Sequence, residues 1–192
     1  MQPWAGPGAA NVPRHATQDN GTIRIVSASP CPGDHGLGAR TSIEDAREHL
    51  KTYLGAGGDF VDTAHGYGDG AFEQALGTMF DDLLPRDQLV ICTKAGVWRR
   101  MGTRVVNTSR RALMHQVDTS LERRGTPYVD LWLVHDDTPL DETLCALEWA
   151  VSSGLARHVA VSNYSRWQAA HAATLMSGNR VPLVETRSST HC

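Results

Sequence analysis

Nowhere in the 192 residues does an apolar run approach the ~20 residues that a membrane helix needs, and no membrane partner is expected. Met1 to Pro13 holds Pro, Gly and Ala but no basic segment leading into an apolar one, so no secretory leader is read there. Surplus charge is missing too. The 18 Lys and Arg against 21 Asp and Glu leave a net charge of -3, which gives no footprint for nucleic acid. The four cysteines, Cys31, Cys92, Cys145 and Cys192, lack the paired spacing of a metal site, and no metal is expected. Cys92 and Cys145 lie in apolar patterns that suit buried free thiols, which fits a reduced, cytoplasmic setting. Low-complexity tracts, short repeats and a Gly-rich phosphate loop are also absent. What remains is an ordinary soluble composition, 41% hydrophobic and 20% charged, at a length that suits one domain with one sizeable core.

Residues 1–40 form an irregular segment, broken by Pro3, Gly6, Pro7, Gly8 and Pro13 and again by the cluster from Pro30 to Gly38. Thr22 to Val26 is a candidate strand between them. From Thr41 the pattern becomes regular. Thr41 and Glu44 have capping-box spacing, and Ala46, Leu50, Tyr53 and Leu54 share a helical face that stops at Gly55. A short strand ends in Asp62, and a helix after Gly70 carries Phe72, Leu76 and Phe80. Leu89 to Lys94 is a continuous apolar run of the kind found in strands covered on both faces. Leu113, Val117 and Leu121 mark a helix from Ser109 to Gly125. Val129 to His135 is the next strand. Thr138 as N-cap, Pro139 and Asp141 open a helix with Leu144, Leu147 and Val151. His158 to Asn163, a helix around Trp167 to Met176, and a short strand from Pro182 to Thr186 follow. Strand and helix alternate with short connections, as in repeated βα units around a parallel sheet.

In a closed parallel barrel, active sites form at the C-terminal ends of the strands. Residue parity then puts Asp62 on the face of Phe60, Lys94 on that of Cys92, and His135 on that of Leu133 and Leu131. Three successive strands thus end in Asp, Lys and His around one mouth, with Tyr67 on the loop above the first. Any one of these residues alone is more often a solvated rim or turn residue. Their occurrence in register is what points to chemistry. Tyrosine, with a pKa near ~10, is a poor acid at neutral pH unless an ammonium stabilises the phenolate, and a carboxylate can hold that ammonium. Asp62, Lys94 and Tyr67 could form such a trio, with His135 orienting a polar substrate group.

Gly58-Asp59-Phe60-Val61-Asp62-Thr63-Ala64 with Tyr67-Gly68, then Cys92-Thr93-Lys94, Val129 to His135, and Val161-Ser162-Asn163-Tyr164-Ser165 resemble, in that order, the aldo-keto reductases. The resemblance covers about Thr41 to Thr186. It implies a (β/α)8 TIM-type barrel, of which about five or six βα units are read in residues 41–187, with 188–192 a divergent tail. It also implies hydride transfer from NADPH to a small-molecule aldehyde or ketone. By the same resemblance Asp62, Tyr67, Lys94 and His135 occupy the catalytic positions, with Tyr67 the acid. Ser162 and Asn163 occupy the positions that bind the nicotinamide carboxamide of NADP(H).

The ends depart from the family. Arg187 stands where a glutamine is expected, and Gly21 to Ala28 or Gly36 to Gly38 only loosely suggest a first barrel strand. A (β/α)8 barrel typically takes ~250 residues. The expectation is therefore of marginal stability or self-association through open sheet edges. Three alternatives stand beside carbonyl reduction. One is a truncated, catalytically impaired remnant. Another is an aldolase forming a Schiff base on Lys94. The weakest is a metal hydrolase using His65, His135, Asp136 and Asp137, of which His65 is read as a turn residue.

Overall fold

A computed structural model describes residues 25–26, 43–55, 57–80, 85–135, 140–178 and 181–184. Thr41, Asp136, Asp137, Thr138, Pro139 and Arg187 lie outside the described residues, as do Gly36 to Gly38 and the remainder of the Thr22 and Thr186 strands. In chain order the elements are β1 (Ile25–Val26), α1 (Ile43–Gly55), β2 (Phe60–Asp62), α2 (Ala71–Gly77), β3 (Val90–Ala95), β4 (Val97–Arg100), β5 (Thr103–Val106), α3 (Arg110–Arg124), β6 (Val129–His135), α4 (Leu140–Ser152), β7 (Ala156–Ser162) and α5 (Arg166–Gly178).

Five strands form one parallel sheet in the order β1-β2-β3-β6-β7. A sixth position is marked by Leu183, bridged in parallel to Val159, where the Val184 N–H donates to the Val159 carbonyl at 2.9 Å. The five or six βα units expected from the sequence are therefore present. Each parallel connection passes through a helix, the usual form of the crossover that parallel pairing requires.

The main core lies between the sheet and the helices. Val61, Ile91, Trp132, Val134 and Val159 point from the strands into it, and Leu76, Leu113, Val117, Leu147 and Met176 meet them from the helices. The opposite face carries a much smaller cluster, Cys92, Leu133 and Ala160 with Phe60 and Leu131 packed beside it. These are the residues that alternation assigns to a barrel interior. A doubly wound sheet would have helices on both faces; among the described residues the helices coat one face, as in a barrel wall.

α3 is fixed at its start by Ser109, whose Oγ accepts from the Ala112 N–H at 3.4 Å. Its buried stripe includes the expected Leu113, Val117 and Leu121, but also Gln116, Ser120 and Arg124. Two features differ from the sequence expectation. Cys145 is exposed, because α4 buries Thr143, Leu144, Ala146, Leu147 and Ala150 and turns Cys145 to solvent. An antiparallel hairpin, β4–β5, fills the connection between β3 and α3, turning through Met101 (φ 50°) and Gly102 (φ 78°). That two-residue turn with both φ positive matches the twist of a hairpin.

At the N-terminal end of the strands the Tyr128 ring is sandwiched between the Arg86 and Arg157 guanidiniums, 4.3 and 4.2 Å from its centre. Asp130 ties both arginines, at 2.7 and 3.4 Å, and accepts from the Ile91 N–H at 2.9 Å.

Candidate active site

The pairing register explains how the strand ends converge. Asp62 lies level with Cys92, so Lys94 stands two residues further along; Lys94 lies level with Leu133, so His135 again stands two further. His135 is level with Ser162. In a tilted barrel wall such stagger brings the ends to one rim. All four side chains share the face of the small interior cluster.

Lys94 is nearly buried, its side chain 10% exposed against 23% for Asp62. Its ammonium is hydrogen-bonded to Asp62 Oδ1 and donates to the Thr63 carbonyl at 3.1 Å. Nζ lies 5.5 Å from the centre of the Tyr67 ring. Burial works against the charge on Lys94, but the Asp62 carboxylate outweighs it, with Tyr67 and Cys92 adding to the effect, and the ammonium is held above the ordinary lysine range. Cys92, buried beneath and close to the Asp62 carboxylate, has its thiol pushed far upward and is inert as a nucleophile.

His135 forms a second group. Asn163 adopts a left-handed conformation (φ 65°) at the end of β7 and brings Nδ2 within 2.9 Å of His135 Nδ1. A neutral imidazole that accepts at Nδ1 carries its proton on Nε2. Ser162, half-buried, sits beside it in the pairing register. Of the six residues singled out in the sequence, the structure thus brings Asp62, Lys94 and Tyr67 together and joins His135 to Asn163. Both groups and Ser162 lie at the same end of the sheet.

Behind these residues, on the helix side, is a cluster that pattern reading overlooked. Glu73 of α2 and Arg124 of α3 are both fully buried, with Arg124 Nη2 3.4 Å from Glu73 Oε1. The Glu73 carboxylate also accepts from Thr93 Oγ1 (2.9 Å), Ser120 Oγ (3.0 Å) and Arg123 Nη1 (3.2 Å). Arg124 donates from Nη1 to Thr63 Oγ1 at 3.3 Å. Arg123 Nη1 also donates to the His65 carbonyl at 2.9 Å and lies 3.3 Å from His65 Nδ1. His65, in the turn where the sequence put it, is drawn into this cluster. Burial, and then the positive charge of Arg123, push its pKa down to about 4. The available signal was spacing: Gln116, Ser120 and Arg124 run parallel to the apolar Leu113, Val117 and Leu121.

The Tyr67 loop is pressed from two sides. A Cβ on Gly66 would stand 2.7 Å from the Val97 carbonyl oxygen, so β4 lies directly against the turn. Gly70 has φ 92°, and a Cβ there would come 2.1 Å from Arg123 Cζ. Only glycine meets both demands at Gly70.

Residues 31–189 match the family model described as Aldo/keto reductase family. The chain is 34% identical over 157 residues to L-glyceraldehyde 3-phosphate reductase of Escherichia coli (strain K12), covering 78% of this chain and 45% of that protein. It is 32% identical over 151 residues to aflatoxin B1 aldehyde reductase member 2 of Homo sapiens, covering 77% of this chain and 41% of that protein. A crystal structure of a thermostable aldo-keto reductase with the inhibitor epalrestat is similar with a TM-score of 0.63 at 32% identity, over 76% of this chain and 50% of that one. The holo form of an aldo-keto reductase from Bacillus halodurans gives a TM-score of 0.61 at 26% identity, over 75% and 48%. The chain spans about half the length of the relatives it matches.

Proposed function

Because the chain belongs to the aldo/keto reductase family, we propose that it reduces an aldehyde or ketone to an alcohol with NADPH, Tyr67 giving the proton. The observation that carries this is the Asp62–Lys94 ion pair set beside the Tyr67 ring at the C-terminal end of a parallel barrel wall. As the carbonyl oxygen gains negative charge, the Tyr67 hydroxyl transfers its proton to it. The Lys94 ammonium stabilises the charge left on the phenol oxygen, and Asp62 fixes the ammonium. His135, with its proton on Nε2, donates to the carbonyl oxygen and orients it. A lysine kept charged by Asp62 is a poor amine nucleophile, which disfavours a Schiff base at Lys94.

Ser162 and Asn163 fit a nicotinamide carboxamide, since a hydroxyl and a side-chain amide at the mouth offer the donor and acceptor that such a group needs. When bound, the reduced nicotinamide supplies the hydride to the carbonyl carbon. The chain's own part is to hold the ring amide, orient the carbonyl and deliver the proton.

NADPH oxidation across a panel of aldehydes and ketones tests the proposal, alongside a fluorescence titration of NADPH. Micromolar NADPH binding is expected, and Tyr67→Phe should lower kcat at least about 100-fold while leaving that binding intact. Full activity in Tyr67→Phe, or a folded chain that does not bind NADPH, would overturn it.

A further inference from the structure

Tyr67 sits on a loop whose shape the chain does not hold unaided. Gly68, Asp69 and Gly70 follow it with φ of 58°, 53° and 92°, three left-handed residues in succession. Arg123 spans this stretch, donating to the His65 carbonyl at 2.9 Å and the Asp69 carbonyl at 3.5 Å, on either side of Tyr67. Its guanidinium fills the space under Gly70. Glu73 holds that guanidinium, and the same carboxylate takes the hydroxyl of Thr93, the residue before Lys94.

We propose that Arg123, anchored by Glu73, is a positioning residue that fixes Tyr67 relative to Lys94. The loop carrying the acid and the strand carrying the ammonium are tied to one buried carboxylate, so the separation of phenol and ammonium is set from behind the sheet. Arg123 extends from α3, on the helix side of the sheet, and acts through the backbone around Tyr67. The catalytic consequence rests on the assignment of Tyr67 as the acid.

Hydrogen exchange on the full chain tests the brace without reference to activity. The His65 amide donates to the Lys94 carbonyl at 2.9 Å and the Tyr67 amide to the Ala64 carbonyl at 3.1 Å. In Arg123→Met both should exchange at least about tenfold faster while β6 amides keep their wild-type rates. Arg123→Lys, which restores the charge but not the paired donors, should fall between. Arg157→Met, at the opposite end of the strands, should leave the loop amides unchanged. In turnover, Arg123→Met should lower kcat about 100-fold with KM within about twofold, as expected of misplacement without lost binding. Loop amides as protected as in the wild type, acceleration spread evenly over all strands, or an unchanged kcat would overturn the proposal. A wild type with no Tyr67-dependent reduction would instead defeat the acid assignment, and the exchange rates alone would then decide whether Arg123 holds the loop.

Discussion

Lys94 and Arg124 are both buried cations, and burial opposes the charge on each. At Lys94 the Asp62 carboxylate wins, whereas Arg124 stays below the ordinary arginine range even with Glu73 beside it. Arg124 therefore depends heavily on that partner. Replacing Glu73 with Ala should cost about 3–5 kcal/mol, since it strands a fully buried guanidinium; equilibrium urea unfolding would measure it. His65 gives a pH signature. Its folded pKa of about 4 lies below the unfolded 6.5, so between these values the unfolded chain binds the extra proton. Its contribution to stability is complete above pH 6.5 and is lost as pH falls toward 4. His65→Gln should flatten the pH dependence of the urea midpoint in that window, and an unchanged slope would refute the assignment. At this scale the sequence was legible where a polar residue closes an apolar run, as at Asp62, Lys94 and His135. Glu73 and Arg123 were not, because a charged residue on a helix is ordinarily read as solvated and only three-dimensional packing buries it; Arg124 carried only the faint signal of its spacing from Gln116 and Ser120.

Among the elements, α3 and the β4–β5 hairpin stand at opposite extremes. Leu113 on α3 is completely buried, and Leu113→Ala should cost about 2–5 kcal/mol by denaturant unfolding. The hairpin tip is the reverse: Met101 is 99% exposed and has a positive φ. Met101→Asn should raise stability by about 0.5–1 kcal/mol, because asparagine tolerates the left-handed conformation that methionine does not. A lowered melting temperature would contradict this. The parallel strands were readable because their apolar runs are continuous and helices separate them. The hairpin was hidden because Val97 to Val106 mixes arginines with apolar residues and Met101-Gly102 is not a common turn pair. Its seat against Gly66 is long-range, and no local pattern encodes it.

Taken over the described residues, the molecule is a wall with a thick coat and a thin lining. Helices bury one face, while the other holds a small cluster of Cys92, Leu133 and Ala160 with Phe60 and Leu131 at its margin. We propose that the purified chain self-associates through the partly buried Phe60 and Leu131 of that lining, measured by light scattering after size exclusion. A monodisperse monomer with one sharp melting transition would refute it. Alternation in the strands has one further consequence. Two of the polar residues at the mouth have a threonine neighbour facing the helices: Thr63 after Asp62 and Thr93 before Lys94, bonded to Arg124 and Glu73 respectively. Sliding β2 by one position would put a carboxylate into the coat and take Thr63 from Arg124, and sliding β3 would put an ammonium there and take Thr93 from Glu73. A one-residue slip of either strand thus carries, besides lost packing, the cost of a buried charge without its partner.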